Sequence, residues 1–511
     1  MGMKRYGCNI YLLIIFLSSC TAGFDRINTD PRKSDSIPPG DQLTAAAYFM
    51  DGGREMGYPN LYLFQPMVQY LSGAPGMSAG GKYVLNEFYN NCMWENLYGK
   101  SIKQLADLLA RHKDNPKAVN YCAAARILKV YVFSLLTDTY GDIPYAEAGM
   151  AWYGKNYTPA YDRQADIYAD FFKELTEAVA QFDRSQEPVY NDILYGGDIT
   201  KWKRLAASLR LRLAMRLTKA DAAMAKVQVQ TAYAAGLMTD EMDNFRMLHD
   251  DYAYPDLRGN SYAQALLEDR VYQWAKGCST FVNYLKAEND PRLPTFFMNQ
   301  DAEGNDITGI THYLSIAPGM YYWDDELQFV SPDGVIIPAA NKYCFINQPF
   351  YQLRAPFLHM GYAEVCFLLA EAAVRGWIPE TANRWYQQGI RAAIDQLKLY
   401  PEISYIPEEN INAFVNAHVL TPGKEIEQIN MQKWVALFPN GFEAYANQRR
   451  SGYPVLAPIT DKGSESQTNG VLPRRLFYPA TEAFSNTVHY QEALDRMGGT
   501  DDWLYRMWWD R

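Results

Sequence analysis

The stretch 117–136 constrains the fold most. Ile127, Leu128, Val130, Tyr131, Val132, Phe133, Leu135 and Leu136 leave a helix over it apolar nearly all round. Such a helix has to be enclosed by other elements, so it predicts a core helix. Its neighbours carry the one-sided pattern of helices that pack against a core. Within 101–112, Ile102, Leu105, Leu108 and Leu109 recur at i, i+3, i+6 and i+7. Within 162–182, Ile167, Phe171, Leu175 and Val179 share one face. Further helical patterns cover 201–219, 221–235, 358–375, 381–397 and 425–437. Pairs separated by short breakers predict helical hairpins stacked side by side, without the strict period of roughly 34 or 40 residues that marks a repeat array.

The segment 244–350 behaves differently. It is rich in Pro, Gly, Asp and Tyr and mostly lacks long periodic runs, so it predicts irregular structure with a few short strands. Loops laid over a rigid scaffold are where recognition usually sits. The expectation is one large, mainly all-α domain.

The N-terminus reads as an export signal. Lys4 and Arg5 precede an unbroken apolar run over 10–17, too short to span a bilayer, which takes roughly 20 residues as a helix. Leu17-Ser18-Ser19-Cys20 then resembles a bacterial lipobox, in which the cysteine thiol carries a diacylglycerol thioether. Several acyl chains on one residue hold a protein firmly to a membrane. The expected organisation is a signal peptide at 1–19, a proline-punctuated, lipid-anchored tether at 20–40 and the helical body at 41–511. No later segment approaches membrane-spanning length. Of seven cysteines, Cys8 leaves with the signal and Cys20 is lipidated; Cys92, Cys122, Cys278, Cys344 and Cys366 remain. An odd number without C-x-x-C spacing predicts buried free thiols.

Charge and motifs exclude several classes. A net charge of −10 argues against a general nucleic-acid binder, which needs a basic footprint. The six histidines show no metal-pair spacing, and no phosphate loop or dinucleotide fingerprint is present; no cofactor is expected. Gly76-Met77-Ser78-Ala79-Gly80 matches G-x-S-x-G. That chemistry needs a strand feeding a sharp turn, whereas Pro75 and Gly81 flank this run, so Ser78 is read as a loop residue. The stretch 201–219 carries seven basic residues and no acid; pairing with carboxylates elsewhere is preferred over an anion-binding face. The oxygen-rich turn at 301–306 lacks EF-hand spacing and is read as a polar turn.

The chain holds 39 Tyr, 11 Trp and 23 Phe, an aromatic surface with hydrogen-bonding tips suited to sugar or peptide recognition. Tyr321-Tyr322-Trp323-Asp324-Asp325-Glu326 is the densest cluster. Aromatic faces can stack on sugar C–H faces while carboxylates bond the hydroxyls. Tyr70, Tyr83, Tyr321, Tyr322, Trp323 and Asp324 are chosen as candidate substrate-binding residues because they are aromatic, or flank aromatics, in loop-like segments.

An ordered series of motifs then resembles the SusD/RagB family of outer-membrane nutrient-binding lipoproteins, and within it the SusD-like subgroup. The series runs from Ile27-Asn28-Thr29-Asp30-Pro31 through Thr137-Asp138-Thr139-Tyr140-Gly141-Asp142-Ile143-Pro144-Tyr145 and Trp202-Lys203-Arg204-Leu205. It continues with Asp290-Pro291-Arg292-Leu293, Leu369-Ala370-Glu371-Ala372, Asn440-Gly441-Phe442-Glu443 and Arg449-Arg450-Ser451-Gly452-Tyr453-Pro454, and ends at Pro473-Arg474-Arg475-Leu476, Tyr478-Pro479 and Trp508-Trp509-Asp510. The resemblance implies tetratricopeptide-like helical hairpins and a lipid anchor, with palmitate among its acyl chains, in the outer membrane facing the cell surface. It implies a non-catalytic role: capturing nutrient oligosaccharides as a hinged lid over a SusC-like TonB-dependent transporter. Peptide capture in a RagAB-like complex is the alternative. A surface hydrolase using Ser78 or a carboxylate pair, and a purely structural scaffold, are the readings from other classes.

Overall fold

A computed structural model describes residues 37–300, 313–320, 342–459 and 466–511, with the backbone also at Phe329–Val330 and Ile336–Ile337. Cys20, the turn at 301–306 and the cluster at 321–326 lie outside the described residues.

The helical body follows from the periodicities. Its main helices are α1 (Pro39–Asp51), α2 (Lys103–His112), α3 (Val119–Tyr140), α4 (Gln164–Gln181), α5 (Ile199–Arg216), α6 (Ala222–Ala235), α7 (Tyr362–Val374), α8 (Ala382–Asp395), α9 (Glu425–Leu437) and α10 (Gly441–Ser451). Helices α2 and α3, α3 and α4, α5 and α6, and α7 and α8 pack as successive pairs, and α9 lies across α7 and α8. Boundaries are set by local chemistry. The Asp198 carboxylate caps α5 at the Thr200 and Lys201 amides, Asp221 caps α6, and Asn440 caps α10. Gly141, at φ +90°, ends α3 in a conformation that few other residues adopt.

Helix α3 is the predicted core helix, with Leu128, Val130, Val132, Phe133 and Leu136 all at most 1% exposed. Together with the turn before it, it forms a continuous helix over Pro116–Tyr140, 25 residues long and apolar enough to cross a bilayer. The expectation that no later segment reaches that length is therefore corrected. Enclosure by the body, not a shortage of apolar length, makes this a core helix. The five cysteines Cys92, Cys122, Cys278, Cys344 and Cys366 are free and buried, as expected; burial pushes the Cys278, Cys344 and Cys366 thiols up to about 12.

One helix boundary differs from the sequence pattern. Phe357–Met360 is a strand, paired antiparallel with Phe245–Met247, and α7 starts only after Gly361. A four-residue, mainly apolar run abutting a helix carries no period of its own, so tertiary pairing decided it.

The basic stretch folds as α5 and turns its arginines inward. Arg204 pairs with Asp243 at 2.9 Å, and Arg212 with Glu364 at 2.5 Å. Arg216 bridges Asp138 at 3.1 Å and Glu443 at 2.6 Å. Arg210 donates to the Phe172 carbonyl and the Gln228 side chain. The expected pairing with carboxylates holds for Arg204, Arg212 and Arg216, whereas Arg210 is satisfied by neutral oxygens.

The loop-rich segment is tied to this body by a small antiparallel sheet. Its strands are β1 (Leu71–Ser72), β2 (Lys276–Gly277), β3 (Phe297–Met298) and β4 (Phe345–Ile346), in the order β1-β2-β4-β3.

Candidate functional site

Beside this sheet, two separate pieces of chain bring aromatic rings together and a third adds a carboxylate. The helix Arg54–Tyr58 runs into a π-helical stretch, Pro59–Phe64, a widened geometry often found at functional sites. It presents Tyr58 and Tyr62, whose rings lie 5.8 Å apart. The helix Glu87–Asn96 is capped by Asn86, which accepts from the Tyr89 amide at 3.1 Å, and this cap fixes Phe88 and Tyr89 in its first turn. Tyr89 stacks on Tyr62 at 4.6 Å with the planes 19° apart. Phe88 lies 5.5 Å from Tyr58 and is 57% exposed. A ring this open costs hydration free energy and marks a surface that is used when it belongs to a contiguous aromatic patch.

The third piece is the turn Glu268–Gln273. Asp269 and Arg270 sit at φ +46° and +57°, two consecutive non-glycine residues in the left-handed region, at a cost of about 1–3 kcal/mol each. The turn leaves Leu267, Asp269 and Arg270 exposed and brings in Glu268. Glu268 accepts from the Tyr58 hydroxyl at 2.6 Å and pairs with Arg54 at 2.6 Å. Arg54 lies over the Tyr254 ring at 3.8 Å, and the Tyr254 hydroxyl donates to Glu55 at 2.9 Å. Half-buried Trp274 follows, and Tyr272 stacks on Tyr351 at 4.4 Å.

Burial, reinforced by the nearby Glu268 carboxylate, raises the pKa of Tyr58, and burial also raises those of Tyr62 and Tyr89. All three keep their phenolic protons at neutral pH; Tyr58 and Tyr62 are buried beneath Phe88 and the half-buried Tyr89. Flat rings, hydroxyls and a flanking carboxylate match what a sugar ring offers, C–H faces and equatorial hydroxyls.

The loop before this face is shaped to reach it. A Cβ on Gly76 would lie 2.7 Å from the Tyr62 ring and 2.9 Å from the Tyr89 hydroxyl, so only glycine lets the loop lie against the stacked pair. Gly80 likewise abuts the Leu63 carbonyl. Ser78 Oγ donates to the Pro75 carbonyl at 3.3 Å. The G-x-S-x-G glycines are thus packing devices, and Ser78 opens a short helical turn, Ser78–Gly81, rather than a strand-to-helix elbow.

Two of the expected ligand residues belong elsewhere. Tyr70 is fully buried, stacked on Trp434 at 5.4 Å, with its hydroxyl bonded to the Trp434 carbonyl. Tyr83 is 3% exposed. Both are corrected to core residues, because neither ring offers a face to a ligand. Tyr321, Tyr322, Trp323 and Asp324 lie outside the described residues; the chain leaves those residues at Met320, whose carbonyl accepts from Ser72 Oγ at 3.1 Å. Sequence reasoning missed Phe88, although a signal was present. Phe88 shares a helix face with Asn91 and Glu95, so an aromatic stands on a polar stripe. Among the described residues no cluster of three His, Cys, Asp or Glu side chains is arranged to hold a metal ion.

Comparison with known proteins identifies the family and the fold. A family model described as SusD-like, starch-binding associating with outer membrane, matches residues 31–479. A solved structure titled chitin-binding protein is 37% identical, with a TM-score of 0.84, covering 93% of this chain and 100% of its own. A Bacteroidetes SusD-like structure is 31% identical, with the same TM-score and coverage. A chitin-binding SusD homolog from Flavobacterium johnsoniae, 24% identical with a TM-score of 0.72 over 92% of this chain and 98% of its own, shares the fold. No curated protein matched the sequence.

Proposed function

This chain belongs to the SusD-like family of starch-binding proteins that associate with the outer membrane, and on that premise we propose that its aromatic face captures oligosaccharides for import. Phe88 and Tyr89 form the stacking surface, with the buried rings of Tyr62 and Tyr58 supporting them from beneath; the turn at 267–270 and Trp274 supply its rim. The observation that carries the reading is Phe88, 57% exposed in a contiguous cluster of four aromatic rings. The chitin-binding title of a relative 37% identical makes oligomers of N-acetylglucosamine the first ligand class to try.

The proposal extends to delivery. A diacylglyceryl group on Cys20 holds the protein on the outer membrane at the cell surface, and a SusC-like TonB-dependent transporter receives the captured glycan. Tyr321, Tyr322, Trp323 and Asp324 join the ligand contacts. No bond of the ligand is broken in this step.

Calorimetric titration of the purified protein with chitooligosaccharides, maltooligosaccharides and a peptide library tests the capture step. Saturable binding of one glycan series, with the oligomer recovered uncut, is the expected result. Binding of peptides alone, or hydrolysis of the glycan, would overturn it. Purification from native membranes tests delivery: a large β-barrel is expected to accompany the acylated protein.

A further inference from the structure

A cavity elsewhere in the body shares no lining residue with the aromatic face. It measures about 380 Å³ and is walled by Tyr140, Met497, Tyr505, Met507 and Trp508. That places it within the roughly 300–1,000 Å³ range of small-molecule sites.

Its polar lining is dominated by cations. Arg163, Arg475, Arg496 and Arg511 all reach it, against the single carboxylate of Asp142. The first residues of α4, Gln164 and Ala165, also line it, so the positive end of an 18-residue helix opens on the cavity. Asp142 is already committed: one oxygen accepts from the Gln164 amide at 2.9 Å and the other pairs with Arg496 at 2.6 Å. Arg163 is exposed and has no ion pair among the described residues. The Arg511 guanidinium lies over the Tyr505 ring at 4.7 Å.

Arg475 supplies the independent sign of a ligand. It is fully buried, its Nε donates to the Tyr140 carbonyl at 3.1 Å and its Nη1 pairs with Asp501, while Nη2 has no hydrogen-bond partner. On the same wall, Oε1 of buried Gln164 is an acceptor without a partner. An unmade hydrogen bond to a buried charged donor is expensive, so a site keeps one where a ligand completes it.

We propose that this cavity binds the oxyanion group of a compact molecule, a carboxylate or sulfate that is either free or carried on a sugar. The anion bonds to Arg475 Nη2 and faces Arg163 and Arg511. A neighbouring hydroxyl donates to Gln164 Oε1, and the aromatic walls cover the rest. Because the two sites share no residue, this inference stands or falls separately from glycan capture at Phe88.

Titration of the purified protein with sodium glucuronate, glucose and inorganic sulfate tests it. Glucuronate is expected to bind saturably and at least tenfold more tightly than glucose. The variant R163E/R511Q should weaken glucuronate binding at least tenfold with an unchanged thermal transition, and F88A should leave it intact. Displacement of glucuronate by sulfate would show that the anion alone carries the binding; binding without displacement would assign the site to the acidic sugar. Equal binding of glucose, no binding of either acid, indifference to R163E/R511Q or loss in F88A would each overturn the proposal.

Discussion

Arg212 holds Glu364 through two parallel hydrogen bonds, Nε to Oε1 at 2.9 Å and Nη2 to Oε2 at 2.5 Å, across 152 residues of chain. Both side chains are at most 3% exposed. The pair joins α5 to α7, and Lys433 from α9 adds a third charge 3.5 Å from Glu364. Three helices distant in sequence are thus locked by groups that water cannot reach. Charge-assisted bidentate contacts of this kind fix geometry as well as adding energy.

Removing one partner should therefore be severe. Arg212→Met leaves Glu364 buried beside Lys433 alone and is expected to cost about 3–5 kcal/mol in urea unfolding. The double variant Arg212→Met/Glu364→Met should lose less than the two single variants added together. A single-variant loss below about 1 kcal/mol would show that the pair is not buried as described.

Phe88 predicts the opposite pattern. Its ring is mostly solvated, so Phe88→Ala should leave the thermal midpoint unchanged while weakening oligosaccharide binding about tenfold, or about 1.4 kcal/mol. Calorimetry on the variant reads both quantities. A large drop in midpoint with intact binding would make the ring a structural element instead.

Gly76 links the loop to the stacked tyrosines. In Gly76→Ala the new methyl meets the Tyr62 ring and the Tyr89 hydroxyl, so one ring has to shift. Affinity is expected to fall several-fold with a small stability loss, of about 1–3 kcal/mol as for other overpacked sites. Unchanged ligand affinity would mean that the stacked pair takes no part in binding.

Acid should destabilise the protein in two stages. Burial pushes His359 down to about 4, only partly offset by Asp51 and reinforced by His249 and Arg212. The unfolded chain then binds the extra proton first, so this contribution is complete above about pH 6.5 and is lost as pH falls to about 4. A fully buried group shifted this far represents on the order of 3 kcal/mol. Burial alone would raise Glu371 and Glu443, but Arg450 beside the first and Arg216 and Arg212 beside the second outweigh it and hold both at about 2. Their contribution is present above about pH 4.5 and lost toward pH 2. Melting curves from pH 7 to 3 should show both declines. His359→Gln should flatten the first; an unaltered slope in that variant would assign the decline to another group.

The helices were legible because their burial is one-sided and periodic. The pattern at 425–437 coincides with α9, and the inward pairing of Arg212 and Arg216 follows from placing basic residues on a helix of an acidic protein. The strand Phe357–Met360 was not legible, since its register depends on Phe245–Met247 more than a hundred residues away. Tyr70 was chosen and Phe88 passed over for the same reason. A tyrosine can enter the core when a distant carbonyl takes its hydroxyl, as Trp434 does for Tyr70. A phenylalanine can stay outside when neighbouring rings support it. Neither partner is near in sequence, so composition alone could not separate them.

The short sheet has a consequence for how such a chain diversifies. Ile316 exchanges backbone hydrogen bonds with Gly277 and Ser279, and Cys344 with Leu314 and Gly277, so the stretches 301–312 and 321–341 are bracketed by fixed anchor points. A segment grafted between those anchors would enter and leave at backbone positions that the sheet already pins, which makes this region a natural place to retarget the protein.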